Sequence, residues 1–149
     1  MATSSRSPRR ARRRDLGAML VPLGRRLVAM ELPILERHGL SMWGYAVLSR
    51  LGEEPPRTQA AFAASIGADK TRIIGVLDEL QERGLIDRRP DPDDRRARLL
   101  SITPAGHRLQ ARVQHEIQRS EERLLARLSR SDRDAFLRVL AILTEDQEA

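Results

Sequence analysis

The chain has 149 residues, which suits one domain of ordinary size or one compact domain with long helical extensions, and a second globular domain is not expected. Hydrophobic residues make up 40% of it and aromatics only 3%, so the core must be built from Leu, Ile, Val and Ala, and the absence of cysteine excludes disulfides, thiolate metal sites and thiol redox sensing. The net charge of +6 resides in one segment: Arg6, Arg9, Arg10, Arg12, Arg13 and Arg14 precede the first acid, Asp15, and the other 21 basic and 21 acidic residues balance.

Residues 1–14 combine Ser, Pro and Arg with little apolar content and are expected to be a disordered basic arm, either solvated or bound to phosphates. From Asp15 to about Arg37, Leu16, Leu20, Leu23, Leu27, Met30 and Ile34 recur every three or four residues, which predicts a helix. Pro22 and Pro33 each remove a backbone donor and predict a bend or break. His38-Gly39 is a glycine C-cap, and Ser41 starts a second helix carrying Trp43, Val47, Leu48 and Leu51 that should stop before Gly52. After a turn at Pro55-Pro56, Thr58 caps a short helix over Gln59 to Ser65, with Phe62 and Ile66 as its buried residues. Gly67-Ala68 is a turn, and Asp69 caps a helix to about Arg83 with Ile73, Val76, Leu77 and Leu80 on one face, ended by Gly84.

Two short helices joined by a three-residue turn containing glycine form a helix-turn-helix pattern, a weak signal alone. Leu85-Ile86 then opens an extended segment, Pro90 to Arg96 is a charged turn, and Leu99 to Ile102 returns. Residues 85–103 therefore read as a β-hairpin, a wing beside the second helix. Thr103-Pro104 starts a long helix to about Leu128, with Leu109, Val113, Ile117, Leu124 and Leu128 as its stripe and Gly106 as a local weakness. Ser131 caps a last helix whose apolar side is Phe136, Leu137, Leu140 and Leu143. No run approaches eighteen apolar residues and no apolar segment follows the early arginines, so neither membrane span nor secretory signal is expected, and a cytoplasmic, nucleoid-associated protein is.

Three pieces of this chain resemble the MarR family, the multiple-antibiotic-resistance regulators. They are Gly39-Leu40, then Leu80-Gln81-Glu82-Arg83-Gly84-Leu85-Ile86, then Asp91-Pro92-Asp93-Asp94-Arg95-Arg96 leading through Leu99 to Ile102-Thr103-Pro104-Ala105-Gly106. The resemblance implies a mainly α fold with a small β-hairpin wing: a winged helix-turn-helix lobe at about 41–103, and dimerisation helices at about 15–37 and 104–147 intertwined with a second copy. A single domain over 15–149 follows. It also implies an obligate homodimer, palindromic operator DNA and, in many members, a small ligand that weakens DNA binding. Where the family often has Thr-Arg in mid recognition helix, this chain has Ile74-Gly75, so base readout must differ.

The apolar stripe of the recognition helix leaves Lys70, Thr71, Arg72, Ile74, Gly75 and Asp78 outward. Arg72 is placed for a bidentate guanine contact, Thr71 and Lys70 for phosphate or base, and Ile74 for a thymine methyl. In the wing, Arg95, Arg96 and Arg98 cannot all share one side if strand alternation holds. The family pattern puts Arg96 in the minor groove, where a narrow groove concentrates negative potential, and Asp94 is expected to hold it by an ion pair. Met30, His38, Met42, Trp43 and Tyr45 fall where family members often carry an effector cavity, suited to an aromatic acid or phenol. An equally available reading makes them core and interface residues. The three histidines show no metal spacing, and no catalytic constellation, phosphate loop or cofactor motif is present, so an enzyme is not expected. The alternatives to a sequence-specific regulator are a nonspecific nucleoid-type DNA binder and a winged-helix protein-interaction module.

Overall fold

A computed structural model describes residues 13–53, 55, 57–67 and 69–145, apart from the side chain of Lys70. Most of the basic arm, part of each proline and glycine turn, and the last four residues lie outside the described set. The elements run α1 (Leu16–Arg37), α2 (Met42–Glu53), β1 (Arg57–Thr58), α3 (Gln59–Ser65), α4 (Lys70–Glu82), β2 (Ile86–Pro90), β3 (Arg98–Ile102), α5 (Pro104–Leu125) and α6 (Arg130–Glu145).

Caps explain most of these boundaries. Gly44 N–H donates to Ser41 Oγ at 2.9 Å, Ala61 N–H to Thr58 Oγ1 at 3.2 Å, and Gly106 N–H to Thr103 Oγ1 at 3.0 Å. Each satisfies a donor that a helix start leaves without an intrahelical partner. Glycines at φ +64° and +69° follow α1 and α4, and the next residue reaches back: Leu40 N–H to Leu35 O and Leu85 N–H to Leu80 O, both 2.9 Å. A left-handed residue there closes the Schellman turn, and only glycine adopts it without strain.

Four expectations need correction. α1 is not broken at Pro22 or Pro33, since both lie inside one helix; each proline removes one donor, and the remaining ladder is long enough to continue past it. α2 runs through Gly52 to Glu53. The β-hairpin of the wing is present as β2 and β3, and a third strand joins it to give an antiparallel sheet in the order β1-β3-β2, because Arg57 and Thr58 pair with Leu100 and Leu99. The long helix ends at Leu125, and α6 is capped by Ser129 in place of Ser131: Asp132 N–H donates to Ser129 Oγ at 3.1 Å.

The core lies where α2, α3, α4, the sheet and the first half of α5 meet, and its centre is Val47, Leu48, Phe62, Ile73, Leu77, Leu80, Leu100 and Val113. Ile73, Leu77 and Leu80 are the predicted inward stripe of α4, with Val76 half-buried beside them. The other end of the molecule is different. α6 buries no residue, and Leu137, Val139, Ile142 and Leu143 are exposed along with Leu16, Met19, Leu20 and Val21 of α1. Among the described residues, no helix is long and apolar enough to cross a membrane.

Candidate nucleic-acid interface

α4 starts at Asp69, whose Oδ1 accepts the Thr71 N–H at 3.4 Å. Burial of Ile73, Leu77 and Leu80 fixes the helix rotation, so Thr71, Arg72, Ile74 and Gly75 face outward. Lys70 sits at the first helical position.

The wing tip is held by its own acids. Asp94 Oδ1 accepts the backbone N–H of Arg96 at 2.9 Å, and Asp94 O accepts that of Ala97 at 2.9 Å. Asp91 Oδ1 accepts the Asp93 N–H at 2.9 Å, and Asp91 N–H closes the loop onto Ala97 O at 3.1 Å. Asp94 thus supports the wing through the backbone, whereas an ion pair with the Arg96 guanidinium was expected. Short Asp side chains close such turns because they reach an N–H two residues on.

Arg96, Arg98 and Asp94 line one groove of about 510 Å³ with Ile74 of α4 and with Thr58 and Gln59 at the start of α3. Arg96 and Arg98, two residues apart, share this groove, and the neighbouring Arg95 does not line it. Arg95 is exposed at the tip, and Thr71 and Arg72 are exposed on α4. Among the described residues, Arg72, Arg95, Arg96 and Arg98 form no ion pair. Their charge is available to an external anion.

Arg88 was not singled out by the sequence. Its side chain is only 17% exposed, and it donates from Nε to Gln81 Oε1 at 2.6 Å and from Nη1 to Gln59 Oε1 at 3.5 Å, while Nη2 pairs with Asp78. A buried guanidinium is costly unless its donors are satisfied, and this one is satisfied by α3 and α4 together. Arg88 therefore ties the wing strand β2 to both helices of the helix-turn-helix. The signal was present: Arg88 is two residues after buried Ile86, so the strand period puts both on one face.

Of the five residues expected to gather around an effector, Met30 and His38 line different grooves. Met30 lines a groove of about 900 Å³ between α1 and α5. His38 lines a neighbouring cleft, and its Nε2 lies 2.8 Å from Glu116 Oε1. Met42 and Tyr45 pack against the core, and Trp43 is half-buried. Glu116 also accepts from Arg37 at 2.7 Å, and the His38 and Arg37 bonds hold its carboxyl below the usual range. Burial pushes the Glu31 and Glu121 carboxyls up, and the neighbouring acids Glu121 and Glu122 respectively add to the rise. Tyr45 is raised by burial first, and by the same two acids. Among the described residues, no group of three His, Asp or Glu could hold a metal ion.

Comparison with known proteins gives a consistent picture. The model of the MarR family matches residues 40–97, from the start of α2 to the wing tip. A protein of Thauera aromatica, named as a candidate transcriptional regulatory protein for the hcr operon, is 32% identical over 107 residues covering 72% of this chain. The matched stretch spans 64% of that relative's length. The transcriptional repressor CouR, solved bound to a 23-mer DNA duplex, is similar with a TM-score of 0.75 and 32% identity, over 87% of this chain and 92% of CouR. A crystal structure of MarR has a TM-score of 0.80 and 27% identity, over 91% of this chain and 92% of that one.

Proposed function

The chain belongs to the MarR family, and from that premise we infer that it is a sequence-specific DNA-binding transcriptional regulator, a repressor of nearby genes that a small aromatic or phenolic ligand releases. The observation that carries this reading is the groove where Ile74 of α4 faces Arg96 and Arg98 of the wing, with four arginines on its two sides that form no ion pair among the described residues. An α-helix end beside a basic hairpin matches the two grooves of duplex DNA: α4 enters the major groove with Arg72, Thr71, Lys70, Ile74 and Gly75 toward base edges and phosphates. Arg96 enters the adjacent minor groove, with Arg95 and Arg98 on the backbone.

The unit that binds is a homodimer. The exposed apolar residues of α1 and α6 need a partner, and a second copy of the same surface supplies one by a two-fold axis. That axis imposes a palindromic operator. The ligand acts by binding the DNA-competent form less well than the other, since equal affinity shifts nothing. The protein works in the cytoplasm, on the nucleoid.

Purified protein is mixed with sheared genomic DNA, the bound fragments are sequenced, and the best site is compared with random duplex. A palindromic site bound at least roughly a thousandfold tighter than random DNA is expected. Equal affinity for both would replace this reading with a nonspecific nucleoid-type binder. Sedimentation showing a stable folded monomer at micromolar concentration would remove the palindrome.

A further inference from the structure

One groove at the less buried end of the molecule is apolar except at a single position. Leu20, Leu23 and Leu27 of α1 and Phe136, Leu137 and Leu140 of α6 wall a space of about 240 Å³, and Glu121 of α5 is the only charged residue among the described ones that line it. An adjoining cavity of about 320 Å³ shares Leu23 and Phe136 and extends the apolar surface to Leu128. Leu20, Leu128 and Leu137 on the rim are each at least 40% exposed, so this surface is open in the single chain.

The groups around Glu121 do not compensate its charge. Glu122, next to it on α5, is an acid already paired with Arg133 at 2.6 Å. From α1, Glu31 is near enough for the two carboxyls to repel, and from α2 the Tyr45 hydroxyl is affected by both. Arg25 and Arg26 of α1 are exposed and do not line the groove, and α6 lines it with apolar residues only. Arg127 borders the adjoining cavity, six residues on and so about 9 Å further along the helix. Burial already holds the Glu121 carboxyl above its ordinary range, and Glu122 adds to the rise.

A half-buried carboxylate keeps part of its hydration, and apolar side chains laid over it would remove the rest. We propose that the second copy closes this groove over Glu121, so that each subunit takes up one proton from solvent as the dimer forms. This rests on the homodimer described above and adds proton uptake to it. The rim identifies the occupant: Leu16, Leu20, Leu137 and Leu143 continue the apolar surface onto the exposed sides of α1 and α6, which a two-fold copy of the same chain covers. The sign follows from linkage. A carboxyl that holds its proton more tightly in the dimer than in the free subunit favours the dimer at low pH, and that contribution is lost as pH rises from the free-subunit value through the dimer value. Operator binding by dilute protein, which needs the dimer, weakens over the same interval.

The test uses full-length chains labelled at the amino terminus with a donor or an acceptor fluorophore. Loss of energy transfer on dilution gives the dimer Kd, which should rise at least about tenfold between about pH 5 and about pH 8.5. Where the dimer survives the greatest dilution, the rate of subunit exchange is read in its place and should rise with pH. Glu121→Gln keeps the size and removes the charge: its Kd should stay within about threefold over the range and be tighter than the parent's at the alkaline end. Glu31→Gln removes a like charge outside the groove, so it should keep the rise and move its midpoint to lower pH. Melting curves check that both variants fold. A parent whose association does not change with pH, or a Glu121→Gln variant with the parent's dependence, overturns the proposal. Association that tightens as pH rises, the mark of a cation brought by the second copy, overturns it too. A folded monomer at every pH removes the homodimer itself, which the other adverse results leave standing.

Discussion

A methyl group at residue 106 tests how tightly the reading head is fastened to the long helix. A Cβ on Gly106 would sit 2.1 Å from the carbonyl oxygen of Leu85 and 2.7 Å from Cγ1 of Ile102. Carbon–oxygen contacts settle near 3.3 Å, so α5 and the wing base must part by about 1 Å. The parts that would move are bonded to each other. Thr103 N–H donates to Leu85 O at 3.1 Å, and Thr103 Oγ1 donates to Gly84 O at 2.7 Å while capping α5. Overpacking costs about 1–3 kcal/mol and each weakened bond about 1 kcal/mol, against a gain of up to about 1 kcal/mol from alanine's helix propensity. Gly106→Ala should therefore destabilise the protein by about 3 kcal/mol, a fall in Tm of roughly 10 °C at fixed protein concentration. Gly75→Ala is the counterpart: nothing lies within 4 Å of its added Cβ, and the free protein should gain about 0.5–1 kcal/mol. Urea unfolding of both variants measures the difference. If Gly106→Ala is as stable as the parent, the close approach of α5 to Leu85 is not real.

Arg72→Ala should cost roughly 1–3 kcal/mol per subunit on the operator and much less on a site changed at the contacted pair, as read by titration of both duplexes. Arg96→Ala should weaken binding across sequences and lower the slope of log affinity against log salt by about 1 per subunit. Arg88→Met keeps the stem but frees Asp78 and Gln81. The fold should persist while the ratio of operator to random affinity falls roughly tenfold, a change of about 1.4 kcal/mol in discrimination; an unchanged ratio would make Arg88 a stability residue only. Burial raises the Glu121 carboxyl above its ordinary 4.5, so the folded state holds the proton longer than the unfolded one. Stability therefore falls as pH climbs from 4.5 through the raised value, and Glu121→Gln should flatten that decline in a series of melting curves.

The helices were legible because their signals are local. Apolar residues at spacings of three and four, with Thr58, Asp69 and Thr103 as caps, placed α3, α4 and the start of α5 where the structure has them. What escaped was set by contacts distant in sequence. β1 is two residues long and exists only because Leu99 and Leu100 are beside it. Arg88 looked like one more wing arginine, and its role depends on Gln59, Asp78 and Gln81 from two other elements. Gly106 read as a weak point of the helix by propensity, whereas the close approach of Leu85 is what demands it. The arginines of α5 were visible only as polar cover on an amphipathic helix, and that some of them border a groove with the apolar side of α1 was not.

These joints bear on how firmly the reading end of α4 is held. α4 is gripped at its C-terminal half: Arg88 holds Asp78 and Gln81, Arg83 holds the end of α1, and the Gly84 carbonyl holds Thr103. Its first turn, Lys70 to Arg72, is fixed by the Asp69 cap and by the burial of Ile73 just behind it. Thirteen residues at 1.5 Å each make α4 about 20 Å long, so a tilt of about 3° at the gripped end moves the reading end by about 1 Å. Donor–acceptor distances that make good hydrogen bonds span only about 0.5 Å, so such a tilt is enough to break a bidentate contact to a base. Loosening Arg37 from Glu116 would reach His38, and through the His38 carbonyl it would reach Arg83 and the end of the lever.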